Sequence, residues 1–222
     1  LGHIIQNALL FVFHGENLLF IFSIVAPRFA DCNCFDICPL FGYNDRSCLT
    51  AREEDGMRTI IWFLYFWCYL VAVLPLMHQC KKLTAQGRVA ESDAKMRKAV
   101  RNWARRLLKL AGVKVEISGL ENIPQGPVVY VGNHQGNFDV PLMLAYLREP
   151  CGLLAKEELA KVPMIKTWMK LLHCVFVERG NPTQSVAALK EAAGLLRQGY
   201  SMVIFPEGTR SRGDQVGPFK TG

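Results

Sequence analysis

Acidic side chains nearly vanish between Lys81 and Lys109, where Glu91 and Asp93 face ten Lys and Arg residues. Ten minus two leaves a local charge of +8, one more than the +7 of the whole 222-residue chain. Such a block implies an anionic surface as partner, either nucleic acid or membrane. Histidine is scarce too, five in all. Metal-ligand spacing is missing: Cys32, Cys34, Cys38 and Cys48 follow no zinc or iron–sulfur pattern. Cys68, Cys80, Cys151 and Cys174 sit among apolar neighbours and read as small buried hydrophobes in a reducing compartment. No internal repeat or low-complexity tract is present, which leaves one domain of ordinary size plus an appendage.

Long uncharged runs are equally few. Ala8–Phe13 and Leu18–Ala26 are too short to span a bilayer and are split by His14-Gly15-Glu16-Asn17. Only Ile60 to Met77 approaches that length, with 18 residues and no charge. As a helix it measures about 27 Å against a hydrocarbon core of ~30 Å. Trp62, Tyr65, Trp67 and Tyr69 supply interface-seeking aromatics. The run has no polar face, which argues against a soluble core helix; a helix dipping into one leaflet has the same signature. The first Met is Met57. The expectation is that the natural product starts there and that residues 1–56 are a non-native leader from an over-extended reading frame, the alternative being an N-terminal membrane hairpin.

Beyond the apolar run the chain is patterned. Met96, Val100, Trp103, Ala104, Leu107, Leu108 and Ala111 recur at helical spacing, with Arg97, Lys98, Arg101, Arg105 and Arg106 elsewhere on the wheel. Gly112 is a suitable stop. A basic amphipathic helix after a membrane segment reads as a membrane-surface helix, or as a core helix with a solvated basic face. The positive flank sets everything after Met77 on the cytoplasmic side. From Val113 onward, strand and helix patterns alternate in α/β fashion. Strands are predicted at "VKVEIS", "PVVYVGN", "GLLAKE", "CVFV" and "YSMVIF". Helices are predicted near 140–147, in "MIKTWMKLL" and over 183–197, the last with Asn181 as cap and Pro182 at its first position.

Two polar loops come directly after strands. "GNHQGNFD" carries His134 and Asp139; "FPEGTRSR" carries Glu207, Gly208, Thr209, Arg210 and Arg212. On an ideal helix, a five-residue offset leaves the His and Asp side chains ~140° apart. A turn through Gly136 and Asn137 could instead return Asp139 to an imidazole nitrogen. Alternatively Asp139 simply caps the helix that starts at Val140. Arg210 offers a fork suited to phosphate, and Gly208 lets backbone N–H groups approach it. Arg179 closes a third strand end in "VFVERG".

The H-x4-D of "NHQGNFD" and the E-G-T-R of "FPEGTRS", in that order, resemble the first and third motifs of the glycerophospholipid acyltransferases. "VFVERG" is similar to the second motif. That family includes the 1-acylglycerol-3-phosphate acyltransferases, which make phosphatidic acid. The resemblance implies His134 as general base and Asp139 as its orienting partner. It implies a phosphate site shaped by Glu207, Gly208, Thr209 and Arg210, with Arg179 as a second contact to the acceptor; Arg212 and Lys220, read from the residues alone, could help or could simply be solvated. The family's fourth motif, an apolar strand with a Pro, lies beyond Gly222, so the domain is expected to be truncated at its C-terminus.

The chemistry is consistent with those roles. A thiol of pKa ~8.5 leaves readily as thiolate, so acyl transfer from a thioester needs no acyl-enzyme. A neutral imidazole can take the hydroxyl proton directly. No cofactor or metal is expected; acyl-CoA or an acyl carrier protein thioester is the co-substrate. Expected partners are membrane lipids and lysophosphatidic acid, with no nucleic acid, at the cell membrane with the catalytic domain on the cytoplasmic face. The alternatives are another lysophospholipid acceptor or a non-catalytic lipid-binding relative. The expected organisation is a leader (1–56), a membrane segment (57–80), a basic amphipathic surface helix (81–112) and a mixed-sheet α/β acyltransferase domain (113–222).

Overall fold

The computed structural model describes residues 5–14, 17–27, 53–149, 151–178, 180–211 and 217–219, and from Val113 onward strands and helices alternate as the sequence pattern predicts. The chain opens with strands β1 (Ile5–His14) and β2 (Asn17–Pro27), then helices α1 (Glu53–Ala72), α2 (Leu74–Ala85) and α3 (Val89–Leu110). Strands β3 (Glu116–Ser118) and β4 (Val129–Gly132) precede α4 (Asp139–Tyr146), β5 (Gly152–Lys156) and α5 (Pro163–Leu171). β6 (Val175–Val177), α6 (Pro182–Arg197) and β7 (Met202–Ile204) complete the order.

The strands form one mixed sheet in the order β3-β2-β1-β4-β7-β5-β6. β4, β7, β5 and β6 are mutually parallel, and β1 joins β4 antiparallel. Residues 5–14 and 17–27, expected to belong to a leader, therefore extend the sheet from its β4 side. The four early cysteines lie outside the described residues. Successive residues of a strand face opposite sides. Met202 accordingly packs with Val175, Ala188 and Ala192 beneath α6, while Val203 joins the larger core beneath α3, α4 and α5.

The single membrane helix expected over 57–80 needs correction. The run breaks at Val73, and α1 and α2 bend by 43°. Pro75 is the cause: it has no N–H for the preceding turn and is tolerated only at the start of the next helix. Among the described residues no single helix is long and apolar enough to cross a membrane, although the bent pair passes together by length and composition. α1 is also two-sided. Met57, Ile60, Ile61, Leu64 and Val71 are exposed, whereas Phe66, Trp67 and Leu70 pack on the core. Trp62 Nε1 donates to Leu107 O at 3.1 Å and Tyr69 Oη to Ala99 O at 3.0 Å.

The predicted surface helix 81–112 is also redrawn. Lys81 and Lys82 belong to α2, and a turn through Gly87 separates them from α3. Gly112 ends α3 in the left-handed region (φ 72°), which a Cβ would disfavour. Part of the basic face is used internally. Arg101 donates to the carbonyls of Leu147 and Arg148, Arg105 Nε donates to Ala145 O at 3.3 Å, and Arg97 pairs with Glu149. These cations meet the carbonyl end of α4, where a helix favours positive charge.

Asn181 caps α6 as predicted: its Oδ1 accepts from Gln184 N at 3.2 Å, with Pro182 at the first helical position. At the opposite end of the sheet from the two polar loops, Gly152 starts β5 against its neighbours. A Cβ there would meet His173 O at 2.3 Å and Met202 Sδ at 2.8 Å. A backbone oxygen cannot swing aside. Gly152→Ala should therefore lower stability by about 1–3 kcal/mol, read from chemical denaturation, through overpacking.

Candidate functional site

β4 and β7 pair in parallel with Val131 opposite Ile204, so both chains leave the sheet at the same edge. The edge beyond the C-terminal ends of parallel strands is where such sheets hold ligands. His134 follows β4 by two residues and Glu207 follows β7 by three. The two polar loops are thus neighbours because their strands are.

The first loop turns back on itself through Gly136 and Asn137. His134 Nδ1 lies 2.7 Å from Asp139 Oδ2, and that same oxygen accepts from Gln135 N at 2.8 Å and Gly136 N at 2.9 Å. Asp139 was also expected as the α4 N-cap. It is instead the first helical residue after Phe138, and its buried carboxylate gathers the loop rather than capping the helix. A carboxylate oxygen only accepts, so Nδ1 carries the proton and the Nε2 lone pair is the basic one. The imidazole stacks on Phe205 with ring centroids 4.4 Å apart. Its side chain remains one-fifth exposed, which leaves it reachable.

The second loop grips the first. Glu207 Oε1 accepts from His134 N at 2.6 Å, and Oε2 accepts from Gly217 N at 2.8 Å. Ser211 donates to His134 O from its backbone N at 2.8 Å and from Oγ at 3.2 Å. Arg210 reaches Asn137 Oδ1 across the gap. Gly208 has φ 63°, and its N–H closes the turn on Phe205 O at 3.0 Å rather than pointing outward. Thr209 is exposed at the tip. The structure thus brings His134, Asp139, Glu207 and Arg210 together. Arg179, Arg212 and Lys220 lie outside the described residues.

Three members of this cluster were not singled out as site residues from the sequence: Asn137, Phe205 and Ser211. Ser211 directly follows the E-G-T-R run, and adjacency was the only signal available for it. A thiol nucleophile is disfavoured among the described cysteines near the sheet: burial pushes the Cys174 thiol up to about 12 and Cys151 further still. No group of three or more His, Cys, Asp or Glu that could hold a metal occurs among the described residues.

Asp139→Ala should cost stability as well as geometry, because it orphans the Gln135 and Gly136 amides. Each orphan is worth roughly 1–3 kcal/mol. His134→Ala removes only a partly exposed ring and should cost less. Urea midpoints of the two variants check that order; equal midpoints would mean the amides find other partners.

The profile of the acyltransferase family matches residues 114–222. A 1-acyl-sn-glycerol-3-phosphate acyltransferase of Borreliella burgdorferi is 36% identical over 116 residues, covering 52% of this chain and 46% of the relative. One from Pseudomonas aeruginosa is 34% identical over 134 residues, covering 58% of this chain and 52% of its own. The crystal structure of the Thermotoga maritima 1-acyl-sn-glycerophosphate acyltransferase PlsC superposes with a TM-score of 0.55 at 27% identity. It covers 75% of this chain and 67% of the other. The chain spans about half the length of the curated relatives it matches. It is residues 114–222, whose parallel strands β4 and β7 carry both polar loops to one edge of the sheet, that match the acyltransferase family.

Proposed function

We propose that this chain transfers an acyl group from acyl-CoA or acyl carrier protein to the free sn-2 hydroxyl of 1-acyl-sn-glycerol-3-phosphate, forming phosphatidic acid. The observation that carries the reading is the His134–Asp139 pair at 2.7 Å, with the imidazole still reachable at the strand edge. His134 Nε2 takes the proton from the acceptor hydroxyl as its oxygen attacks the thioester carbonyl. The C–S bond breaks, the thiolate leaves, and the imidazolium returns the proton to it. Asp139 holds the tautomer and stabilises the transient imidazolium, as the Asp of a Ser-His-Asp triad does. Arg210, anchored beside the His loop through Asn137, supplies the fixed positive charge for the acceptor phosphate.

The same reading sets the protein at the cell membrane with this domain on the cytoplasmic face. The exposed apolar stripe of α1 and the exposed Lys81, Lys82, Lys98, Arg106 and Lys109 support it. An apolar face beside cations suits a lipid surface that also delivers the acceptor.

The test is release of free thiol from a long-chain acyl-CoA on adding lysophosphatidic acid. His134→Ala should reduce acceptor-dependent release by about 10²- to 10⁴-fold, the usual share of a general base. Retained activity would remove His134 from the mechanism. Arg210→Ala should raise KM for lysophosphatidic acid by about tenfold or more while sparing an acceptor without phosphate. Equal losses on both acceptors would make Arg210 a support for the loop instead.

A further inference from the structure

We propose that Glu207 is a positioning residue for His134 and does not contact the acceptor; the proposal builds on His134 acting as the base. A carboxylate in a phosphate site would repel the ligand, and Glu207 is turned the other way. It is 2% exposed, and both of its oxygens are committed, Oε1 to His134 N at 2.6 Å and Oε2 to Gly217 N at 2.8 Å. A buried carboxylate carries a desolvation penalty that only good donors offset. Here the donors are backbone amides from two separate segments.

The result is three-point control of one residue. Glu207 holds the amide on the N-terminal side of His134, Ser211 holds its carbonyl, and Asp139 holds its ring. The loop after β7 therefore dictates where the loop after β4 sits. Errors of about 1 Å in the position of a reacting group can cost 100-fold in rate. Gly217 is part of the device. A Cβ at that position would lie 2.7 Å from Glu207 Oε2, so any side chain there pushes the carboxylate away from its donors.

Glu207→Gln keeps the shape but turns one acceptor into a donor, so one of the two amides loses its partner. The expected result is a kcat about 10- to 100-fold lower with KM for lysophosphatidic acid within about twofold. Amide hydrogen exchange across residues 129–138 should accelerate, with α6 exchanging as in the unaltered protein. Gly217→Ala should reproduce both effects in milder form. The combined variant should be no worse than Glu207→Gln alone, since both act on one bond set.

A raised KM with kcat preserved would overturn the proposal and return Glu207 to the acceptor site. So would unchanged exchange over 129–138 in Glu207→Gln. Exchange reads the anchor without needing the reaction, whereas an active His134→Ala variant would sink the base assignment alone. If Glu207→Gln fails to fold, the decision passes to Gly217→Ala, where unchanged exchange and kcat would overturn the proposal.

Discussion

Val129 stands opposite Met202, Tyr130 opposite Val203 and Val131 opposite Ile204, and most of what this chain can do depends on that short parallel ladder. It joins segments 73 residues apart and ends both strands at one edge. Parallel neighbours must be linked by long crossovers, and here α4, β5, α5, β6 and α6 lie between them. Those crossovers cover both faces of the sheet, which leaves the strand ends as the place for polar loops. Once the strands are paired, the hydrogen bonds between Glu207, Ser211 and His134 form at short range.

The helical layer supports the same site from behind. α4 begins at Asp139; Arg105 of α3 binds its Ala145 carbonyl, and Arg101 binds the Leu147 and Arg148 carbonyls just beyond its end. Trp62 of α1 meets Phe138 edge-to-face with centroids 6.1 Å apart, one residue before Asp139. The apolar α1 and the basic α3 are therefore packed against the element that carries the carboxylate. A lipid surface under α1 would sit close to the loop where the proposed acceptor reacts. At the far end, Asp93 of α3 receives Tyr200 Oη at 3.0 Å and lies 3.0 Å from His173 Nε2, tying the helical layer to the start of β7.

Much of this was legible in the sequence. Continuous runs of β-forming residues marked β4 and β7, and Asn181-Pro182 marked the start of α6, because strand propensity and helix capping are local effects. The His134–Asp139 pairing was suggested by two turn formers between them. What misled were features whose local pattern has several tertiary uses. The apolar run 60–77 has the composition of a membrane segment, yet Pro75 divides it and one of its faces serves the core. Arg97, Arg101 and Arg105 look like a free cationic face on a wheel, which cannot show that α4 ends beneath them.

Glu207 draws the line most clearly. The amino-acid sequence by itself determined that an acidic residue, a glycine and an arginine come after a buried strand, and that a histidine and an aspartate come after another. It determined the charge, the helix stripes and the order of the motifs, since each depends only on nearby residues. Only the tertiary structure decided that the Glu207 carboxylate faces inward to the His134 amide, that Ser211 grips the adjoining carbonyl and that Gly217 must lack a side chain. Those are contacts between segments far apart in the chain, set by strand pairing and by the need to satisfy every buried polar group.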